Sequence, residues 1–312
     1  MHGTLAIRAR GADLVAGALL VGAFLALLVL LDRVATGSNP DQWFHFAISR
    51  MSQGGLVRLL PQAEDVGWGS GFPEKEFLFH RLTALAYAAG GERAIRILCR
   101  ALSCASILLV YWLARRNAAP PIAAASTFGL MIANPYMLFR LGMVRPHVLA
   151  VFLFVAVVGS LVCRWRVLGF LTGMAFALAY HAVYVPAALA AAFAALALVQ
   201  RRAEPEAAKS RLAASGAVFA GVVAGIVANP YFPSNVAMGW THLRFAFSAA
   251  ASLPGVHVGA EVLPLSASTF LRLFAIALAA VVACAAAAIV DARSGEKPWD
   301  RAILTAAALF LV

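Results

Sequence analysis

Charged residues are scarce in this chain. Asp, Glu, Lys and Arg make up 12% of its 312 residues, whereas hydrophobic residues make up 62% and the mean hydropathy is +0.84. This composition is too apolar for a soluble domain, and a single membrane anchor would use only about 20 residues. The sequence therefore predicts an all-α polytopic membrane protein.

Cysteine is also rare, and the four residues show no paired spacing. Cys99, Cys104, Cys163 and Cys284 all fall within or at the ends of apolar runs. This pattern indicates neither a disulfide framework nor a CxxC metal pair. We expect the four cysteines to act as small buried side chains.

Acidic residues are fewer than basic ones, 14 against 25, which gives a net charge of +11. The basic residues sit mainly in short breaks between apolar runs, as the positive-inside rule predicts for cytoplasmic loops. No basic domain stands clear of these runs, so nucleic acid is not an expected partner. The sequence also lacks a P-loop, GxGxxG, HExxH and GxSxG, which removes the usual signs of nucleotide binding, zinc proteolysis and hydrolase catalysis.

The apolar runs predict nine membrane spans. They lie at about 14–31, 95–114, 119–135, 147–163, 167–181, 182–200, 212–229, 269–290 and from 302 onward. A cytoplasmic N-terminus places the basic breaks at 115–118, 164–166, 201–211 and 291–301 on the cytoplasmic side.

Residues 77–90 are apolar enough to cross as well, but counting them would invert every later break. We therefore predict an interfacial helix there. A first outer loop then covers 32–93, a second covers 231–268, and residues 1–312 form one transmembrane domain.

Two small patterns concern helix ends and helix packing. The sequence Ala-Asn-Pro-Tyr occurs at 133–136 and at 228–231, each time at the end of a predicted span. Helix termination explains it, and the alternative is that Asn and Tyr line an outward-facing cavity. Gly169 with Gly173, and Gly221 with Gly225, have the GxxxG spacing of closely packed membrane helices.

Residues 38–55 follow the first span and carry the strongest local signal. Ser38 or Asn39 can cap a helix, and Pro40 suits its first position. Helical spacing then separates two faces. The apolar face comprises Trp43, Phe44, Ala47, Ile48 and Met51, and the polar face comprises Asp41, His45, Ser49 and Ser52. We predict a short helix on the membrane surface that presents an acid and a histidine one turn apart. The alternative is a connector whose polar face is simply hydrated.

Further polar residues fall on the same predicted side of the membrane. Arg93, Arg96 and Arg100 form one stripe at the outer end of the second span, which suits a phosphate or pyrophosphate. The alternative, snorkelling to lipid headgroups, explains Arg93 better than Arg100. Further positive charge lies between the third and fourth spans, at Arg140, Arg145 and His147. One face of the interfacial helix carries an acid and a histidine, Glu76 and His80.

Four segments, taken in order, carry a family resemblance. They are NPDQWFH at 39–45, EKEFLFH at 74–80, Gly90-Gly91 followed by Arg96-Ile97, and RLGMVRPH at 140–147. With these segments the chain resembles the GT-C class of integral-membrane glycosyltransferases. That class includes protein O-mannosyltransferases, the aminoarabinose lipid A transferase and the catalytic subunit of oligosaccharyltransferase. The local match covers residues 1–165 or so, and beyond it only the topology agrees.

The resemblance implies a sugar transferase of a bacterial inner (cytoplasmic) membrane, active at its outer face. A polyprenyl-phosphate sugar would be the donor, and a lipid, glycan or protein the acceptor. The catalytic role falls on Asp41, with His45 orienting or tuning it. From their charge and their common side of the membrane, the expected substrate-binding residues are Arg96, Arg100, Arg140, Arg145, His147, Glu76 and His80.

Two departures from the class bear on these expectations. Many members carry a second acid before the fourth span, where this chain has Arg145-Pro146-His147. A divalent metal is therefore only an option, and no other cofactor is implied. Members also commonly continue into further spans or a soluble domain, so we expect the chain to continue beyond residue 312.

Two rival functions fit the same residues. A transporter or flippase for an anionic lipid or sugar would use the arginines for binding without chemistry. Transporters usually show paired halves, and apart from the Ala-Asn-Pro-Tyr echo no such repeat is visible. The third option is a non-catalytic membrane subunit.

Overall fold

The computed structural model describes residues 2–35, 41–66, 68–69, 71–116, 118–133, 135–202 and 204–247, and within these ranges it is all-helical. Ten α-helices follow one another: α1 (His2–Ala35), α2 (Asp41–Met51), α3 (Phe77–Arg115), α4 (Pro120–Ala133), α5 (Pro135–Leu141), α6 (Pro146–Cys163), α7 (Arg166–Ala179), α8 (Tyr184–Gln200), α9 (Pro205–Ala228) and α10 (Ser234–Phe247). Two short 3-10 turns, Ser52–Gly54 and Pro61–Val66, lie between α2 and α3. The predicted all-α class is confirmed.

Four of the helices are long and apolar enough to cross a membrane. They are Gly11–Leu30 within α1, Phe77–Arg115, Pro146–Cys163 and Pro205–Ala228. They match the spans predicted at 14–31, 95–114, 147–163 and 212–229, which makes the chain a plausible membrane protein.

The other predicted spans do not reach this standard. Those at 119–135, 167–181 and 182–200 correspond to shorter apolar helices, Pro120–Ile132, Arg166–Ala179 and Tyr184–Gln200. A helix rises only about 1.5 Å per residue, so these helices fall short of an apolar core about 30 Å thick. The spans at 269–290 and from 302 lie outside the described residues, so nine spans are not established.

Helix α3 contains a break that separates two predicted elements. Gly90 and Gly91 have non-helical backbone angles, and Gly91 has φ 62°, in the left-handed region that favours glycine. The break lies between residues 77–90, predicted as an interfacial helix, and the span predicted at 95–114. The sequence therefore located this helix break correctly, while the interfacial position of residues 77–90 stays a prediction.

Helix α2 forms within the predicted stretch, but its polar face is buried apart from the half-exposed Asp41. His45, Ser49 and Ser52 are buried, whereas Trp43 is 59% exposed. The idea of a hydrated connector is therefore wrong for this face. Because the polar groups bond to α3, they can be buried without leaving unpaired donors and acceptors.

Ile48 also departs from its predicted place on the apolar outer face. It is fully buried and packs with Val57, Leu60 and Phe72 in a small cluster beneath the first loop. Phe44 is partly buried against the same cluster, whereas Trp43, Ala47 and Met51 stay exposed. The exposed strip is thus narrower than the periodicity predicted, because the folded loop covers one edge of it.

The main core surrounds α6. Most of α6 is buried, and it packs against α3, α7 and α8 through residues such as Val148, Phe154 and Phe193. A helix that is apolar on nearly every side requires such a central position. The cysteines within the described residues are free: Cys99 is buried, and Cys104 and Cys163 are partly exposed.

Helices α7 and α9 approach each other through glycines, as the GxxxG spacing predicted. A methyl group on Gly173 would lie 2.5 Å from the carbonyl oxygen of Val218. A methyl group on Gly221 or Gly225 would overlap the backbone of Phe170 or Met174 still more closely. Only glycine permits this contact between two backbones.

Replacing Gly221 with alanine should therefore destabilise the protein by about 1–3 kcal/mol, the usual cost of overpacking a close contact. Gly216 lies in the same helix but is exposed, and no atom lies within 4 Å of its would-be methyl group. Gly216→Ala is thus a matched control and should leave the melting temperature in detergent unchanged or slightly raised. Equal melting temperatures for the two variants would contradict the packing model.

The second Ala-Asn-Pro-Tyr copy ends a helix and ties two loops together. Helix α9 ends at Ala228, and the Asn229 side-chain oxygen accepts a 3.0 Å hydrogen bond from the backbone N–H of Tyr231. The Tyr231 hydroxyl donates to the carbonyl of Val57 at 2.8 Å. Both side chains are buried, which supports helix termination and disagrees with the lining of an open cavity.

Candidate active site

Polar residues join α2 to the first half of α3. The hydroxyls of Ser49 and Thr83 lie 2.7 Å apart, and each also reaches a carbonyl one turn earlier in its own helix. Both side chains are buried. The 3.6-residue repeat places His45 one turn before Ser49 and His80 one turn before Thr83, so the two histidines meet at the same interface.

The histidines form part of a buried chain of three side chains. His80 Nδ1 bonds to the carboxylate of Glu74, and His80 Nε2 lies 2.9 Å from His45 Nδ1. The relative exposures of Glu74, His80 and His45 are only 3%, 1% and 6%. A carboxylate can only accept the Nδ1 proton of His80, so Nε2 is the nitrogen that accepts from His45 or binds a cation.

The charge states of His45 and Glu76 follow from their burial and their neighbours. Burial and, after it, the neighbouring His80 lower the pKa of His45 to about 3. Burial by itself would raise the pKa of Glu76, but the nearby His181 imidazole and the charge of Lys75 hold that pKa below its ordinary value. At neutral pH the site therefore contains a neutral imidazole at position 45 and a carboxylate at position 76.

Glu76 lies at the meeting point of three segments. It immediately precedes α3, and its carboxylate is 3.5 Å from Nδ1 of His181 in the short connection between α7 and α8. His45, Glu76 and His80 each offer one potential metal-ligand atom, and these atoms lie within 4.8 Å of one another. Tyr180 lies in the same connection, and burial, with the Glu76 charge, raises its pKa to about 12.

Asp41 forms an ion pair with Arg145 at the start of α2. The Asp41 side chain is 48% exposed and that of Arg145 is 15% exposed. Arg145 precedes Pro146, the first residue of α6. Its backbone is extended because a residue before proline avoids the helical region. The Arg-Pro sequence thus places a guanidinium beside a carboxylate that is 104 positions away in the chain.

Arg96 approaches the same end of α2 from α3. Its Nη1 donates a 3.0 Å hydrogen bond to the side-chain oxygen of Gln42, and its guanidinium lies 5.0 Å from the centre of the Phe46 ring. Arg100 is partly buried one turn further along, while Arg93 is exposed. The stripe therefore divides into Arg96 at the start of α2, the partly buried Arg100 and the exposed Arg93.

His147 has a different local role from the one predicted. Its Nε2 donates to the backbone carbonyl of Arg140 at 2.6 Å, which ties α5 to the first turn of α6. This bond holds Arg140 and Arg145 on one short connection. The structure thus supports a positioning role for His147, while its predicted contact with substrate stays a prediction.

Two residues of the cluster were not among the predicted site residues. Glu74 belongs to the motif that contains Glu76, so its position two residues earlier was the available signal. His181 lies 105 residues after Glu76 and has no local pattern that connects the two.

Six of the nine predicted residues therefore form two neighbouring groups. Asp41, Arg145 and Arg96 lie at the open start of α2, and His45, Glu76 and His80 lie buried behind it. Comparisons with protein-family models, with curated proteins and with solved structures gave no match to this chain.

Proposed function

We propose that this chain is a membrane glycosyltransferase that moves a sugar from a polyprenyl-phosphate donor to an acceptor at the outer face of the membrane. The observation that carries the proposal is the pair of Asp41 and Arg145. It combines a half-exposed carboxylate with a guanidinium, and Arg96 reaches the neighbouring Gln42. A base beside two phosphate-binding cations is what transfer from a lipid phosphosugar requires.

The proposed reaction is a direct displacement at the anomeric carbon. The acceptor hydroxyl attacks this carbon, and its proton passes to the Asp41 carboxylate. The bond between the anomeric carbon and the phosphate oxygen breaks, and its electron pair leaves with the polyprenyl phosphate. Arg145 and Arg96 stabilise the negative charge on that phosphate.

The ion pair suggests an order for these events. Before the donor binds, Arg145 holds the Asp41 carboxylate in an ion pair. A donor phosphate competes for the same guanidinium and, on binding, frees the carboxylate beside the acceptor. The base is thus fully active only when the leaving group is in place.

The direct test uses the complete natural protein, purified and reconstituted in liposomes. A synthetic polyprenyl phosphosugar with a labelled sugar is the donor, and membrane lipid and protein fractions supply acceptors. The proposal predicts that label appears in an acceptor and that unglycosylated polyprenyl phosphate accumulates. If the labelled lipid crosses the bilayer without losing its sugar, the transporter function replaces this one.

The location of the site on the outer face predicts a specific labelling pattern. Gln62 lies in the first loop and Glu206 at the start of α9, and both are exposed. In a chain without native cysteines, Gln62→Cys should react with an impermeant maleimide on intact cells. Glu206→Cys should react only after permeabilisation. Labelling of both positions from the same side would reject the arrangement.

A further inference from the structure

The buried cluster of His45, Glu76 and His80 remains without a role in the proposed reaction. The three residues come from α2, from the residue before α3 and from the first turn of α3. Their relative exposures are 6%, 8% and 1%. Three ionisable groups buried together are costly unless they bond to one another or bind a metal ion.

We propose that His45, Glu76 and His80 form a binding site for a divalent first-row metal ion of the Zn²⁺ type. Two imidazoles and a carboxylate are a common zinc ligand set, and soft thiolates are absent from this cluster. The donor atoms are His45 Nδ1, His80 Nε2 and one oxygen of Glu76. Three protein ligands leave a fourth tetrahedral position for a water molecule or a substrate oxygen.

The distances are close to those that such an ion needs. Two nitrogens on a tetrahedral zinc ion lie about 3.3 Å apart, given bond lengths of roughly 2.0–2.1 Å. The corresponding nitrogens of His45 and His80 are 2.9 Å apart. A shift of about 0.4 Å would bring these two nitrogens to that separation. The Glu76 oxygen lies within 4.8 Å of both, so its side chain must also move toward the ion.

The surroundings of the cluster resemble the outer shell of a metal site. Glu74 bonds to His80 Nδ1, which directs Nε2 toward His45. A carboxylate behind a ligating histidine fixes the ring and raises its basicity. The Ser49–Thr83 contact holds α2 against α3 one turn further on, so the two histidines stay in register.

Metal binding would release one proton from the cluster. The hydrogen bond between His45 Nδ1 and His80 Nε2 holds one proton, and an ion that takes both nitrogens releases it to solvent. The rival explanation is a hydrogen-bonded chain that only joins α2 to α3. The metal site does not rest on the proposed glycosyltransferase activity, so either can fail without the other.

The experiment is a titration of the chelator-treated full chain, in a background without native cysteines, with Co²⁺ and with Zn²⁺ alone. We expect one ion per chain and a visible Co²⁺ spectrum of four-coordinate type. Glu76→Gln and His80→Gln should each weaken binding by more than about 100-fold, whereas Glu74→Gln should weaken it by about 10–100-fold with the same stoichiometry. Binding of less than one ion, or equal affinities for wild type, Glu76→Gln and His80→Gln, would overturn the proposal.

A matched control should bind the ions as the wild type does. Glu92→Gln changes an exposed acid of α3 that lies outside the cluster. Loss of binding in this control would point to general disruption and count against the site.

A fourth variant keeps the proposal testable if the glutamine substitutions do not fold. His45→Cys should add a thiolate-to-cobalt charge-transfer band, because only a direct ligand produces it. A Co²⁺-bound His45→Cys chain without this band would show that residue 45 is not a ligand. If His45→Cys does not fold either, the wild-type chain decides, since its melting temperature rises with Zn²⁺ concentration only if the folded state binds the ion.

Discussion

Asp41→Asn should lower the rate of sugar transfer by about 10²–10⁴-fold, the usual contribution of a positioned general base. The asparagine keeps the size of the side chain and part of its hydrogen bonding, but it cannot take the proton of the acceptor hydroxyl. The side chain is half exposed at the start of α2, so the substitution leaves the buried packing of that helix untouched. Membrane insertion and the elution profile in detergent should match the wild type.

Donor binding should move in the other direction in the same variant. Arg145 pairs with Asp41 in the structure, and the donor phosphate would compete for that guanidinium. Removal of the carboxylate ends the competition, so the affinity for a polyprenyl phosphosugar should be equal to or higher than that of the wild type.

Glu92→Gln is the matched control for the charge change, because this acid is exposed on α3 and lies outside the proposed site. Its transfer rate should equal that of the wild type. An unchanged rate in Asp41→Asn would end the catalytic assignment. A loss of donor affinity together with transfer would make Asp41 a binding or structural residue instead.

The contacts of His45 differ from those that its spacing predicted. It lies one turn after Asp41, but its imidazole faces α3 and pairs with His80, whereas Asp41 pairs with Arg145. The neighbours of each residue thus come from different parts of the chain. Because His45 pairs with His80 rather than with Asp41, its substitution should affect the rate less than that of Asp41.

Local signals in the sequence predicted the elements well. The break at Gly90 and Gly91 and the GxxxG spacing of Gly221 with Gly225 depend on residues within a few positions of one another, whereas the predicted cap at Ser38 or Asn39 lies outside the described residues. Proline geometry, glycine angles and helical periodicity act over that range. These features could be read without knowledge of the partner segments.

Partners distant in sequence could not be read in the same way. The polar face of α2 is indistinguishable from a hydrated face until His80 and Thr83 are known to lie against it. The same holds for His181, which reaches Glu76 only because a tight connection joins α7 to α8. Periodicity identifies the faces of a helix, but which face is buried depends on what the other faces contact.

Arg145→Gln should weaken the binding of a polyprenyl phosphosugar by about ten-fold or more. A charge-assisted hydrogen bond contributes on the order of 1.5–3 kcal/mol, and 1.4 kcal/mol corresponds to a factor of ten. The donor affinity of Arg145→Lys should lie between those of the wild type and Arg145→Gln, because an ammonium keeps the charge but loses the planar pair of donors. Arg93→Gln is the control, since this arginine is exposed at the end of the same group of cations.

The combination with Asp41→Asn distinguishes phosphate binding from mere positioning of the acid. In the wild type, the donor gains Arg145 only by breaking the ion pair with Asp41, so part of the interaction free energy is offset. In the Asp41→Asn background the donor breaks no ion pair when it binds Arg145. Arg145→Gln should therefore reduce donor affinity more there than in the wild type. If Arg145 only positions Asp41, Arg145→Gln should slow transfer and leave donor affinity unchanged in both backgrounds. Binding isotherms for the four chains, measured with a donor whose sugar cannot be transferred, separate these two outcomes.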